Sequence, residues 1–166
     1  KEGDRNSGSL IENAISQILE VGKISREETQ QLFDVALNLA LTWINRVLFL
    51  KLLEAQLIKY HRGDQDFAFL NSHKIKNYSD LKTLFFSVLA LDHQDRTAIV
   101  KEKFANVPYL SSSLFERTEK ENDYITISDL ESNESLPIFG ATVLKDSNGK
   151  RRSGDLNALE YLLEFL

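Results

Sequence analysis

Apolar residues recur at helical spacing over most of the chain. Leu10, Ile11, Ala14, Ile15, Ile18 and Leu19 follow the i, i+3, i+4, i+7 pattern of one buried helix face. Ser9 and Glu12 ahead of them make a capping box, and Gly22 behind them suits a left-handed helix end. Ser25 and Glu28 repeat the box and open a second pattern that runs to about Tyr60, with Gly63 as its stop. Unbroken, that helix is roughly 50 Å long at about 1.5 Å per residue. Over residues 36–50 it is apolar nearly all round, the pattern of a helix covered on most sides by other helices. Asn38, Thr42 and Asn45 share one face and predict a buried polar stripe satisfied by a neighbouring element, with a ligand site as the alternative. Arg46, if buried, needs a carboxylate or carbonyl partner. Asn45 and Arg46 also cut the apolar run well short of the about 20 residues of a membrane span.

Residues 64–77 read as a connection anchored by Phe67, Phe69 and Leu70. Ser79 is placed to cap a third helix with the stripe Leu81, Leu84, Phe85, Val88 and Leu89, and residues 96–104 predict a short fourth. The period then changes. Residues 124–128 alternate like a half-buried strand, and residues 138–144 are a second strand candidate. Asp146-Ser147-Asn148-Gly149 is a turn signal, and Asp155 can cap a final helix containing Leu156, Leu159, Tyr161, Leu162 and Leu163. The predicted fold is mainly α: a helical bundle around one long buried helix, with a small β excursion near residues 107–152. Residues 1–8 read as a flexible lead and residues 9–166 as one domain.

Composition narrows the chemistry. Hydrophobic residues are 42% and charged residues 27% of 166, as in a soluble globular chain. Seven glycines and two prolines argue against a turn-rich all-β fold. The lack of cysteine removes disulfides, thiolate zinc sites and thiol nucleophiles, and suits the cytoplasm. His61, His73 and His93 are too few for a His-rich metal site. A net charge of −5 gives no global attraction to nucleic acid, so any DNA contact must be local.

The densest basic cluster is Lys145, Lys150, Arg151 and Arg152 around the 146–149 turn. A hairpin tip so charged can sit on DNA phosphates; a solvated turn is the alternative. Lys59, His61, Arg62, Lys74 and Lys76 form a looser group, where Lys59 and Arg62 also suit the dipole at a helix C-terminus. Asp129, Glu131 and Glu134, like Glu119, Glu121 and Asp123, have no histidine or fourth ligand beside them and read as solvated carboxylates, with a cation site as the alternative. The polar start carries no secretory signal. A first residue other than Met and an apolar helical end at 161–166 predict a piece of a longer chain.

Asn106-Val107-Pro108-Tyr109 resembles the Asn/Asp-Pro-Pro-aromatic loop of adenine methyltransferases. In that loop a polar side chain and a carbonyl hold the target amino group while the ring stacks on the flipped base. Val107 stands where the first proline belongs, and no glycine-rich loop follows a strand to hold a methyl donor. Pro108 therefore reads as shaping a turn, with Tyr109 and Leu110 packed on the helices, and no residue is assigned a catalytic role.

The same stretch carries a wider resemblance. Pro108, Tyr109, Leu110, Leu114, Phe115 and Glu116 match the Pro-Tyr-Leu-Asn-Gly-Gly-Leu-Phe-Glu of bacterial enzymes that fuse an endonuclease, a helical connector and an adenine-N6 DNA methyltransferase. Ser111, Ser112 and Ser113 depart from it at Asn-Gly-Gly. Asn45-Arg46-Val47-Leu48-Phe49-Leu50 is similar to their Asn-Arg-Leu-Leu-Phe-Leu helix, and residues 159–166 resemble the helix leading into their catalytic domain. The match spans roughly residues 30–166.

The resemblance implies the connector of a type IIG-like restriction-modification enzyme. Such a domain would hold nuclease and methyltransferase at a fixed separation on DNA in a bacterial cytoplasm, with no membrane involved. It implies S-adenosylmethionine and Mg2+ for the parent and no cofactor for this segment. A restriction-type nuclease needs Asp and Glu-x-Lys around a cation; no Glu-x-Lys occurs here, so such a centre would lie upstream. Two other classes have their own markers. A stand-alone helical interaction module would expose Leu156, Leu159 and Leu163, and an enzyme would gather His93 with Asp92 or Asp95 in a pocket.

Overall fold

Ser9 opens α1 (Leu10–Val21) by accepting the Glu12 amide at 3.2 Å, and Gly22 closes it at φ 74°. The computed structural model describes residues 6–130, 135–138, 142–146 and 148–166. Most of the flexible lead expected at 1–8 (residues 1–5) lies outside them. The second capping box forms only in part. The Glu28 carboxylate accepts the Ser25 amide and hydroxyl, both at 2.9 Å, and α2 (Thr29–Tyr60) begins without a side-chain cap. Those bonds, the amide's first, hold the exposed Glu28 carboxyl below its ordinary range.

At 32 residues, α2 is the spine. It ends where Arg62 and Gly63 both take positive φ, 60° and 90°, so that the Gly63 amide reaches back to the Ile58 carbonyl at 2.8 Å. Cover on most sides was expected, yet α2 is covered on one side. Leu32, Val35, Ala36, Leu39, Ala40, Trp43, Val47 and Leu50 are buried, whereas Phe33, Leu41, Leu48, Phe49 and Leu52 are exposed. The polar stripe is corrected likewise. Asn38 and Asn45 are exposed, and the Thr42 hydroxyl turns back to the Asn38 carbonyl at 2.9 Å. Their shared face is turned outward, so no neighbouring element satisfies it. By length and composition α2 is long and apolar enough to cross a membrane, a test that a core helix also passes. The run interrupted at Asn45 and Arg46 is therefore not excluded by length alone.

Phe69 and Leu70 anchor the 64–77 connection in the core, and Phe67 is half-buried. α3 (Tyr78–Thr83) is capped by Asn77 rather than Ser79, because the Asn77 side chain accepts the Asp80 amide at 2.9 Å. It continues as a π-helical segment, Leu84–Leu89, in which Leu84, Phe85, Val88 and Leu89 are fully buried. α4 (Ala98–Lys103) is shorter than the expected 96–104, because Thr97 caps it and leaves Arg96 outside.

Residues 124–128 form no strand. α5 (Glu119–Asp123) is followed by a 3-10 turn, Ile127–Asp129, whose burial does not alternate: Thr126, Ile127 and Ser128 are all buried. The Thr126 hydroxyl bonds the Asp129 carboxylate instead of facing solvent across a sheet. The β excursion is a short antiparallel pair, β1 (Ser135–Pro137) and β2 (Asp155–Asn157), with Leu136 opposite Leu156. β1 ends before the strand expected at 138–144, of which Ile138 and residues 142–144 form no strand and residues 139–141 lie outside the described ones. Asp155 is used in β2, so Asn157 caps α6 (Ala158–Phe165), accepting the Glu160 amide at 2.8 Å. One hydrophobic cluster joins α1, α2, α3, the π segment and α6.

Candidate functional site

Two of the three stretches that carry the resemblance meet in space. Arg46 is 1% exposed and stands on the buried side of α2. Its Nε donates to the Leu114 carbonyl at 2.6 Å and its Nη2 to the Glu116 carbonyl at 2.7 Å. The Glu121 carboxylate takes the same guanidinium as a fork, at 2.5 Å and 2.8 Å. The Phe85 and Phe86 rings flank it. Between the two carbonyls Phe115 is driven fully into the core, its ring 6.0 Å from Phe49 and 5.9 Å from Phe85. The partner required for a buried Arg46 is therefore both a carboxylate and carbonyls.

This corrects the reading of Glu121 as solvated. Glu121 caps α5 reciprocally with Thr118, and the same carboxylate closes on Arg46. Burial pushes its carboxyl up, but hydrogen bonds from Arg46 and Thr118 and the guanidinium charge outweigh that and hold it below the ordinary range. Asp129 is likewise not free. Burial raises its carboxyl, while Lys82 and the Thr126 hydroxyl bring it down below its usual value. Glu119 and Asp123 are exposed as expected, and Glu131 and Glu134 lie outside the described residues.

Eight residues after Arg46, Glu54 repeats the device. One carboxylate oxygen accepts the Phe69 and Leu70 amides, both at 2.6 Å, and Lys51 lies 2.8 Å from the other. A carboxylate on α2 thus docks the 64–77 connection. The sequence reading assigned Glu54 no role, although a lone acid on an apolar helix carries the same signal as Arg46.

Asn106-Val107-Pro108-Tyr109 lines a cleft of about 340 Å³. Leu57, His61, Phe67, His93, Arg96 and Ala105 complete its walls. His61 lies flat on Phe67, ring centroids 3.7 Å apart and planes 7° off parallel. The Asn106 side-chain amide donates to the Asp66 carbonyl at 3.3 Å. Tyr109 is exposed rather than packed on the helices, while Val107 is buried and Leu110 is half-buried, its amide bonded to the Leu89 carbonyl at 2.9 Å. His93 lines the cleft, but Asp92 and Asp95 are not among its walls and are exposed. Arg96, not assigned a role from sequence, is its buried cation.

Lys145, Lys150 and Arg151 are exposed around the turn, and the Asp146 amide bonds the Lys150 carbonyl at 2.8 Å. Lys145 and Arg151 face each other across an antiparallel bridge. Arg152 is drawn away, half-buried and ion-paired with Glu164 on α6. Three of the four expected cations therefore share the tip, and the fourth staples α6; Ser147 of the turn lies outside the described residues. In the looser group Lys59, His61, Arg62 and Lys76 are exposed and Lys74 is half-buried.

Fold and sites define a mainly helical domain with a two-stranded addition, a basic turn and an aromatic-walled cleft. Among the described residues no group of three or more His, Asp or Glu is placed to hold a metal ion. The chain belongs to the family described as Domain of unknown function (DUF7814), whose pattern matches residues 1–166. No curated protein and no solved structure matches it.

Proposed function

We propose that this chain is a structural connector domain of a restriction-modification enzyme, holding nuclease and adenine-N6 DNA methyltransferase domains at a set distance on DNA. The observation that supports this reading best is the division of α2 into two faces. One face is clamped by Arg46 and Glu54 to the chain's own later segments. The other presents Phe33, Leu41, Leu48, Phe49 and Leu52 to solvent, with Leu41 50% and Leu52 69% exposed. A row of large apolar residues on a rigid spine is what a covering domain requires. S-adenosylmethionine and Mg2+ belong, in this reading, to the flanking catalytic domains, in a bacterial cytoplasm. The marker of a stand-alone module runs the other way, because Leu156, Leu159 and Leu163 are buried.

Two measurements test it. A dye that fluoresces on apolar surface should bind the isolated chain and lose most of that signal in Leu41→Lys/Leu52→Lys, with melting unchanged. No dye binding by the unsubstituted isolated chain removes the surface on which the connector reading rests. Mobility shift on random duplex DNA at low and moderate salt tests the backbone contact. Lys150→Glu/Arg151→Glu should abolish a salt-sensitive shift; no shift at low salt strikes out the DNA contact and leaves the structural role alone. Arg152 is a poorer target, since its loss also frees Glu164.

A further inference from the structure

Arg96 is 4% exposed, yet no carboxylate is hydrogen-bonded to it. Its Nε donates to the Leu91 carbonyl at 3.2 Å and its Nη1 to the Val107 carbonyl at 2.8 Å. Nη2 is buried with no protein partner. A buried donor on a cation left without an acceptor is strongly unfavourable. Arg46 shows what a saturated guanidinium looks like in this fold, with two carbonyls and a bidentate carboxylate around it. Arg96 differs in a second way: it lines the open cleft of about 340 Å³, a volume in the range that holds small ligands.

The walls of that cleft add a second chemistry. The parallel His61–Phe67 pair forms an aromatic floor. Tyr109, 44% exposed, supplies a further ring. His61 and His93 contribute imidazole nitrogens that can donate to an oxyanion. A guanidinium with a spare nitrogen beside stacked rings suits a ligand with an anionic head and a planar body.

We propose that this cleft binds a small oxyanion carried on an aromatic ring, its phosphate or carboxylate bonded to Arg96 Nη2 and its ring against the His61–Phe67 pair and Tyr109. The size of the cleft limits the ligand to something like a mononucleotide or an aromatic acid. Asp92 lies close enough to act on the Arg96 charge and opposes the incoming anion, which weakens binding. The proposal stands apart from the connector reading, since it uses neither the α2 outer face nor the basic turn.

The test is a titration followed by NMR signals of His61, Phe67, Tyr109 and the Arg96 guanidinium. The probes are adenosine monophosphate, benzoate, inorganic phosphate, acetate and uncharged adenosine. Saturable shifts with one or both ring-bearing anions, at least tenfold weaker with phosphate, acetate and adenosine, are expected. The stronger of the monophosphate and benzoate identifies the head group. Tyr109→Ala and His61→Ala, both outside the core, should weaken that binding about tenfold while melting stays put. Arg96→Lys should abolish it, and the two exposed variants keep the test sound if Arg96→Lys fails to fold. No saturable shift with any probe at tens of millimolar overturns the proposal. So does adenosine binding as well as its monophosphate while benzoate binds no better than acetate, or unchanged affinity in both exposed variants.

Discussion

Arg46→Met separates a clamp that organises the fold from a surface ion pair. The substitution keeps most of the side chain's length and removes every donor. Glu121, itself 6% exposed, is left as a buried carboxylate without its cation, and the Leu114 and Glu116 carbonyls lose their donors. Removing one member of such a pair costs about 3–5 kcal/mol. Glu121→Gln keeps volume and the acceptor for the Thr118 amide, and strands the guanidinium instead, with a cost of similar size, about 3–5 kcal/mol. The double variant should cost less than the sum of the two by about 1–3 kcal/mol, because each single change already strands the other partner. Urea unfolding followed by far-UV circular dichroism gives all four values, provided the slope with denaturant stays constant. A loss below about 1 kcal/mol in Arg46→Met, or additivity within about 0.5 kcal/mol, would refute the clamp. Either result means that Arg46 is hydrated in solution and that residues 114–116 are held by Phe115 alone.

Other outcomes follow from the same structure. Glu54→Ala strands two buried amides and should lower stability by about 2–4 kcal/mol in a melting experiment, whereas Glu54→Gln retains an acceptor and should lose about half as much; a wild-type melt for Glu54→Ala excludes the docking role. Arg62 holds φ 60° without being glycine, so Arg62→Gly should raise the unfolding free energy by about 0.5–1 kcal/mol; a loss means that the Arg62 side chain has a partner in solution. Glu121 and Asp129 titrate below their ordinary values, so their stabilisation is complete above about pH 4.5 and fades as pH falls through their lower folded values. Glu121→Gln should flatten that acid limb. Burial pushes the Tyr78 hydroxyl up to about 12, so its contribution holds below about pH 10 and is lost as pH rises toward 12. Tyr78→Phe should remove that alkaline dependence, and an unchanged profile would show that the hydroxyl is hydrated.

Most of the helical plan was legible because the periods are long and their ends are marked chemically. Ser9 and Gly22 bound α1 where the pattern places them, and Arg62 with Gly63 ends the long helix. Misreadings cluster where local alternation competes with side-chain bonding. Thr126 and Ser128 look like the outward positions of a strand, but both are buried, and the Thr126 hydroxyl is spent on Asp129. The caps of α3 and α6 shift by two residues because an asparagine two positions from the expected cap, Asn77 or Asn157, does the bonding.

The candidate site was legible in part, and the division follows from distance along the chain. A charge on an apolar helix announces that a partner exists, and that much holds for Arg46. Which carboxylate answers it is decided 75 residues away. Glu121 lies in a polar local sequence that by itself suggests a solvated acid. Arg96 is harder still, because its environment is made of backbone carbonyls, which no side-chain pattern encodes. The outer face of α2 shows the limit from the opposite side. An apolar surface all round a helix demands cover, but the residues do not say whether that cover comes from the same fold. Here half of it does, through Leu39, Trp43, Val47 and Leu50, and the exposed Leu41–Leu48–Leu52 row is where a second body would have to supply the rest.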